Sequence, residues 1–132
     1  MSIKSSDLPP DVLRRAGVAP ISQSKYRNRP TDYNGVRYRS KAEASYAEEL
    51  DRMTKYGWIT WWIGQPVFRL GVPENKYVAD FLVVRRTDVY VVDTKGNETP
   101  KFRRDKKLWR AYGPCALHVV RNGKTVEIVT AP

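Results

Sequence analysis

The sequence predicts an α/β fold in one domain, and three observations carry that reading. Two runs rich in Val, Tyr and Phe, Tyr77 to Val84 and Val89 to Asp93, meet at the polar turn Arg85-Arg86-Thr87-Asp88 and read as paired strands. Two stretches with helical spacing, Ser40 to about Tyr56 and Pro100 to about Tyr112, lie on either side of those runs, each with a glycine stop at Gly57 or Gly113. Two later strands, Cys115 to Arg121 and Thr125 to Val129, meet at the hairpin signal Asn122-Gly123.

Taken in order, residues 1–35 form an arm expected to be loosely ordered in isolation, and 36–132 the folded domain. Asp11 to Gly17 fits a short helix, but Pro9, Pro10, Pro20 and Pro30 interrupt the rest. From Lys25 the arm turns basic and aromatic: Lys25, Tyr26, Arg27, Arg29, Tyr33, Arg37, Tyr38 and Arg39, with Lys41 beyond. Cations interleaved with tyrosines suit phosphate contacts and base stacking. A solvated tail with Tyr33 and Tyr38 packed on the core fits the same residues. Asn34-Gly35 is a tight-turn signal, and Val36 to Arg39 a short strand.

In the first helix Glu43, Tyr46, Ala47, Leu50 and Met53 fall on one face, so Glu43 begins the stripe that should pack on a sheet. Ser40-Lys41-Ala42-Glu43 is also a capping box, with Glu43 reaching back to the Ser40 amide. The pattern alone favours the cap. Trp58 to Leu70 is aromatic and β-branched with a break at Gly64-Gln65-Pro66, so one bent strand or two short ones are expected. Trp58, Trp61 and Trp62 are expected in the core or on a dimer face, and Gln65 is placed facing the site. Thr99 and Pro100 suit the cap and first turn of the second helix, KFRRDKKLWRAY. Phe102, Leu108, Trp109 and Tyr112 are assigned to its core side; Lys101, Arg103, Arg104, Lys106, Lys107 and Arg110 crowd the remainder.

Each central strand carries an acid where a buried strand should not. Asp80 stands among Val78, Ala79, Phe81 and Leu82, and Asp93 ends the second run, with Lys95 two residues on. Strand side chains alternate, so Val89, Val91, Asp93 and Lys95 share a face, as do Val78, Asp80, Leu82 and Val84. Paired as a hairpin, the strands bring Asp80 beside Asp93. Two such carboxylates repel and lose solvation, so something must compensate. A divalent cation does so economically, and Lys95 adds a second positive charge.

Asp80, then Asp93-Thr94-Lys95 at the end of the next strand, resembles the PD-(D/E)XK nuclease superfamily. YRSKAEASYAEELDRM ahead of it, with ADF and VVDTKG, is more narrowly similar to small phage-encoded endonucleases of the endonuclease I branch, which resolve branched DNA. The residue before Asp80 is Ala79, where the superfamily pattern has proline. The resemblance implies a restriction-endonuclease-like αβββαβ core, a mixed central sheet flanked by helices. It implies metal-dependent hydrolysis of DNA phosphodiesters, with Asp80, Asp93 and the Thr94 carbonyl holding Mg²⁺, or Mn²⁺ in its place. Glu43 would complete the shell and Lys95 position the attacking water. A phage-encoded enzyme of this kind would serve replication, recombination or packaging in the cytoplasm of its bacterial host. Two coordinated cuts on branched DNA would need a homodimer.

Composition limits the alternatives. A net charge of +10 makes a phosphate backbone the commonest strong partner for such a surface. Lys101, Arg103, Arg104, Lys106 and Lys107 start six residues past Lys95 and so should border the site. The one cysteine, Cys115, excludes an internal disulfide and any Cys-based zinc site, and the one histidine, His118, argues against chemistry built on paired histidines. His118 sits in an apolar strand pattern and reads as structural. No apolar run approaches a membrane span, and MSIKSSDLPP lacks the apolar centre of a signal peptide, so a cytoplasmic protein without a membrane partner is expected. A non-catalytic nucleic-acid-binding module on the same fold is the alternative. A purely structural role would require Lys95 and arginines to form a buried ion cluster with the two acids.

Overall fold

The structure, a computed structural model, describes residues 29–132. The helix near Asp11, Lys25 and Arg27 lie outside the described residues. The described residues divide into two units within a helix, between Glu49 and Leu50.

In the first unit β1 (Thr31–Tyr33) and β2 (Val36–Tyr38) pair antiparallel, with Thr31 opposite Tyr38 and Asp32 opposite Arg37. Their turn, Asn34-Gly35, has φ of 51° and 79°. Two successive positive values are what a two-residue turn matched to strand twist requires. The end of the stretch expected to be a loose arm is therefore a paired strand. Helix α1 (Lys41–Lys55) starts at Ser40, whose Oγ accepts the Glu43 N–H at 3.1 Å. It ends where Gly57 N–H reaches the Thr54 carbonyl and Trp58 N–H the Met53 carbonyl, a Schellman closure that uses φ 78° at Gly57.

The second unit holds a five-stranded mixed sheet, in the order β3 (Trp61–Gly64), β6 (Phe81–Val84), β7 (Val89–Thr94), β8 (Ala116–Arg121), β9 (Lys124–Val129). β7 and β8 pair parallel and the other neighbours antiparallel. Helix α2 (Pro100–Tyr112) makes the crossover from β7 to β8, as parallel neighbours require. The mixed α/β architecture agrees with the sequence expectation.

Tyr77 to Val84, expected as one strand, is two. β5 (Lys76–Val78) pairs with β4 (Val67–Arg69) in a separate ribbon, and β6 begins after Asp80. The ribbon and the main sheet turn a corner at one level. There Gln65, with φ 55°, donates its N–H to the Asp80 carbonyl at 2.8 Å, and Ala79 N–H reaches the Pro66 carbonyl at 3.1 Å. Pro66 has no N–H to give, which suits a ladder that breaks there.

The core lies where α2 meets this sheet. Leu70, Tyr77, Ala79, Val91, Phe102, Trp109, Leu117, Val119 and Val129 form one buried cluster. Trp109 is fully buried; Phe68 meets its ring edge-on at 5.0 Å and Tyr77 at 5.8 Å, while its indole N–H donates to the Cys115 carbonyl at 2.7 Å. Gly113 closes α2 against this ring, and a Cβ there would sit 2.6 Å from the Trp109 carbonyl. The buried stripe of α2 is Phe102, Asp105, Lys106 and Trp109, with Tyr112 57% exposed instead of in the core. Trp58 and Trp61 are likewise exposed, at 66% and 47%. Trp62 is half-buried, stacked edge-on to Phe81 and donating to Asp51 at 3.0 Å.

Candidate metal centre at the corner of the sheet

The ladder between β6 and β7 pairs Phe81 with Val92, and Asp80 N–H also reaches the Val92 carbonyl at 3.1 Å, one residue out of that register as at a β-bulge. The Asp80 carboxylate reaches β7 beside Asp93, accepting the Thr94 N–H, and the two acids come within hydrogen-bonding reach of each other. Asp80 is thus fixed by its amide to β7 and by its carbonyl to Gln65. Lys95 N–H donates to the Val120 carbonyl at 2.9 Å, so Asp93 is held between two bonded neighbours, with β7 joined to β8 beyond it.

Both acids are buried, Asp93 being only 2% exposed. Their hydrogen bonds are divided in the same way. Asp80 Oδ2 accepts the Thr94 N–H at 2.6 Å and the Thr94 hydroxyl at 2.8 Å. Asp93 Oδ2 accepts the Tyr77 hydroxyl and lies 3.3 Å from Lys95 Nζ. Burial and the neighbouring Asp80, with which it is within hydrogen-bonding reach, push the Asp93 carboxyl up to about 8; Lys95 and the Tyr77 hydroxyl pull the other way without cancelling this. In the metal-free protein Asp93 therefore keeps its proton at neutral pH. Burial, followed by the charge of Asp93, drives the Tyr77 phenol far above its ordinary range, so it stays a donor.

Lys95 also lies 4.7 Å over the Phe102 ring, a cation–π contact that ties it to the first turn of α2. That turn is capped by Thr99, whose hydroxyl accepts the Phe102 N–H at 3.1 Å. Among the described residues no group of three or more His, Cys, Asp or Glu side chains is arranged to hold a metal. Two carboxylates still fit Mg²⁺, which keeps several waters and is typically bound through one or two acids plus substrate phosphates. The donor set is all oxygen, and each acid has one oxygen, Oδ2, already held by the protein.

The remaining expected residues are distributed as follows. Glu43 is buried in the first unit, its amide on the Ser40 cap. Arg29, Arg39 and Lys41 are exposed, and Arg37 forms a bidentate pair with Asp32 at 2.9 and 3.1 Å. On α2, Lys101 pairs with Asp105 at 3.1 Å, Arg104 bonds Asn75 Oδ1 at 3.1 Å, Arg103 lies 3.8 Å from Glu98, and Lys107 is exposed. Lys106 corrects the expectation of a DNA-facing cation: it is 8% exposed, with its ammonium between Glu98 and Glu127. Gln65 is exposed, and its part in the site is its backbone N–H on Asp80. Tyr77 was not anticipated. Nothing in its spacing marks it, because the break at Ala79 resets the strand alternation that would relate it to Asp80.

No helix among the described residues is long and apolar enough to cross a membrane. No curated protein and no solved structure matches the chain. A family model matches residues 23–127, which include both acids, Lys95 and Tyr77. The chain is thereby a member of the family described as "Protein of unknown function (DUF1064)".

Proposed function

We propose that this protein is a metal-dependent endodeoxyribonuclease with a restriction-endonuclease-like core, acting on DNA with branched structure as a favoured substrate. One observation carries the reading: two buried acids lie within hydrogen-bonding reach of each other, each with its Oδ2 already held by a donor. Two ionised carboxylates so placed are not stable together without a cation. Asp80 and Asp93 would hold Mg²⁺ or Mn²⁺, with the Thr94 carbonyl as a neutral ligand. Such an ion supplies Lewis-acid stabilisation of the phosphate and lowers the pKa of water. Thr94 keeps Asp80 oriented through two hydrogen bonds. Lys95 contributes positive charge beside the scissile phosphate and orients the incoming water. Glu43 enters through the sequence resemblance, as a third acid. The exposed cations of α2 supply backbone contacts that position the duplex.

Supercoiled plasmid and a four-way junction, each incubated with Mg²⁺ or with EDTA, test the reading. Cleavage is expected with Mg²⁺ alone. Asp80→Asn, Asp93→Asn and Lys95→Ala should each lower it by about 10²-fold or more while DNA binding survives. Glu43→Gln in the same assay decides the third acid. Cleavage that persists in Asp93→Asn removes the assignment, and binding without any cleavage favours the non-catalytic module. Gel filtration with and without junction DNA reports whether two copies act together.

A further inference from the structure

Tyr77 lies on β5, opposite Phe68 on β4, and both rings meet Trp109 edge-on. That packing fixes the phenol ring independently of any ligand. A buried tyrosine hydroxyl ordinarily finds a partner in the core. Here the partner is Asp93, through the same Oδ2 that lies near Lys95. Thr94 does the corresponding work on Asp80, also through Oδ2. Both acids are thus constrained to offer one oxygen each.

We propose that Tyr77 is a positioning residue for the metal centre: its hydroxyl holds Asp93 Oδ2, so that Asp93 binds a divalent cation through Oδ1 alone. The role rests on the nuclease reading. Its chemical consequence is selectivity. Mg²⁺ and Mn²⁺ suit single-oxygen carboxylate ligands in an octahedral shell, whereas Ca²⁺ accepts bidentate carboxylates and more ligands. An Asp93 released from Tyr77 can turn and offer both oxygens.

The test is calorimetric titration of Mn²⁺ and of Ca²⁺ into wild-type protein and into Tyr77→Phe, which keeps the ring and removes the donor. The variant is expected to lose about 10-fold in Mn²⁺ affinity, as for other residues that orient a ligand, and to bind Mn²⁺ less selectively over Ca²⁺. Its metal-free melting temperature should stay near the wild-type value. Phe68→Leu, which thins the packing opposite Tyr77 without removing a hydrogen bond, should keep the wild-type preference between the two ions. Tyr77→Phe with Mn²⁺ affinity and selectivity within about two-fold of wild type overturns the role, since ligand-orienting partners act on a larger scale. Equal losses for both ions together with a lower melting temperature overturn it too, by showing a packing role only. Wild-type protein that binds no Mn²⁺ overturns the metal centre itself, a result distinct from either.

Discussion

At the scale of single residues, Asp93 decides how stability depends on pH. Its folded value, about 8, stands above the roughly 3.9 of an unfolded aspartate. Between those values the folded protein binds a proton that the unfolded chain has released. The stability tied to that proton is complete below about pH 4 and is lost as pH rises through about 8. In EDTA the melting temperature of the wild type should therefore fall from pH 5 to pH 8, and Asp93→Asn, which cannot ionise, should flatten that part of the curve. A net effect of only about 1 kcal/mol moves the midpoint by roughly 4 °C, well within measurement. Mn²⁺ competes with the proton, so the stabilisation it gives should be larger at pH 8 than at pH 6. Parallel slopes for wild type and variant would refute the protonated acid. The proximity of Asp80 and Asp93 was legible from the sequence, because a short polar turn returns the second strand along the first and brings their far ends together. The hydroxyl on Asp93 was not: the apolar run from Tyr77 to Val84 is continuous in character, and only the corner at Gln65 and Asp80 splits it.

At the scale of elements, α2 shows how a charged helix divides its cations. Phe102, Asp105, Lys106 and Trp109 follow helical spacing, so the buried stripe was available from the sequence. Charge argues against placing Asp105 and Lys106 inside. Each is admitted by a partner, Lys101 for Asp105, Glu98 and Glu127 for Lys106. The Lys106 stem also packs near Phe102, its ammonium 5.4 Å from the ring centroid. Lys106 and Lys107 are adjacent and chemically identical, so the pair separates fold from binding. Lys106→Met should cost about 2 kcal/mol of stability, the scale of charge-assisted hydrogen bonds, and leave the salt dependence of DNA binding unchanged. Lys107→Met should leave stability near wild type and reduce the salt slope by about 1. Urea denaturation and binding isotherms at several salt concentrations measure both. The reversed pattern would place the DNA-facing side of α2 elsewhere.

At the scale of the whole molecule, a net charge of +10 repels itself, and an anionic partner would relieve that repulsion. The parallel pairing of β7 and β8 forces a crossover, and α2 makes it directly after the strand that ends in Asp93-Thr94. The basic helix therefore starts close in sequence to the acid pair for a topological reason, and the order of elements in the sequence already implied this. Five of its cations are exposed, four of them, Lys101, Arg103, Arg104 and Lys107, ahead of Arg110, which lies 3.5 Å from Glu127. About four phosphate contacts correspond to a slope near −3.6 in log K against log salt, so affinity for duplex or junction DNA should fall by roughly 10²-fold from 50 to 200 mM. Asp93→Asn should follow the same slope, because the buried acid makes no backbone contact of its own. Substrate choice should then appear as a difference between DNA structures at fixed salt, on top of this common electrostatic dependence. Fluorescence anisotropy with a duplex and a four-way junction of equal length, across that salt range in EDTA, measures both terms. A flat salt dependence for both DNAs would remove nucleic acid as the partner of this charge, whatever ion the two acids bind.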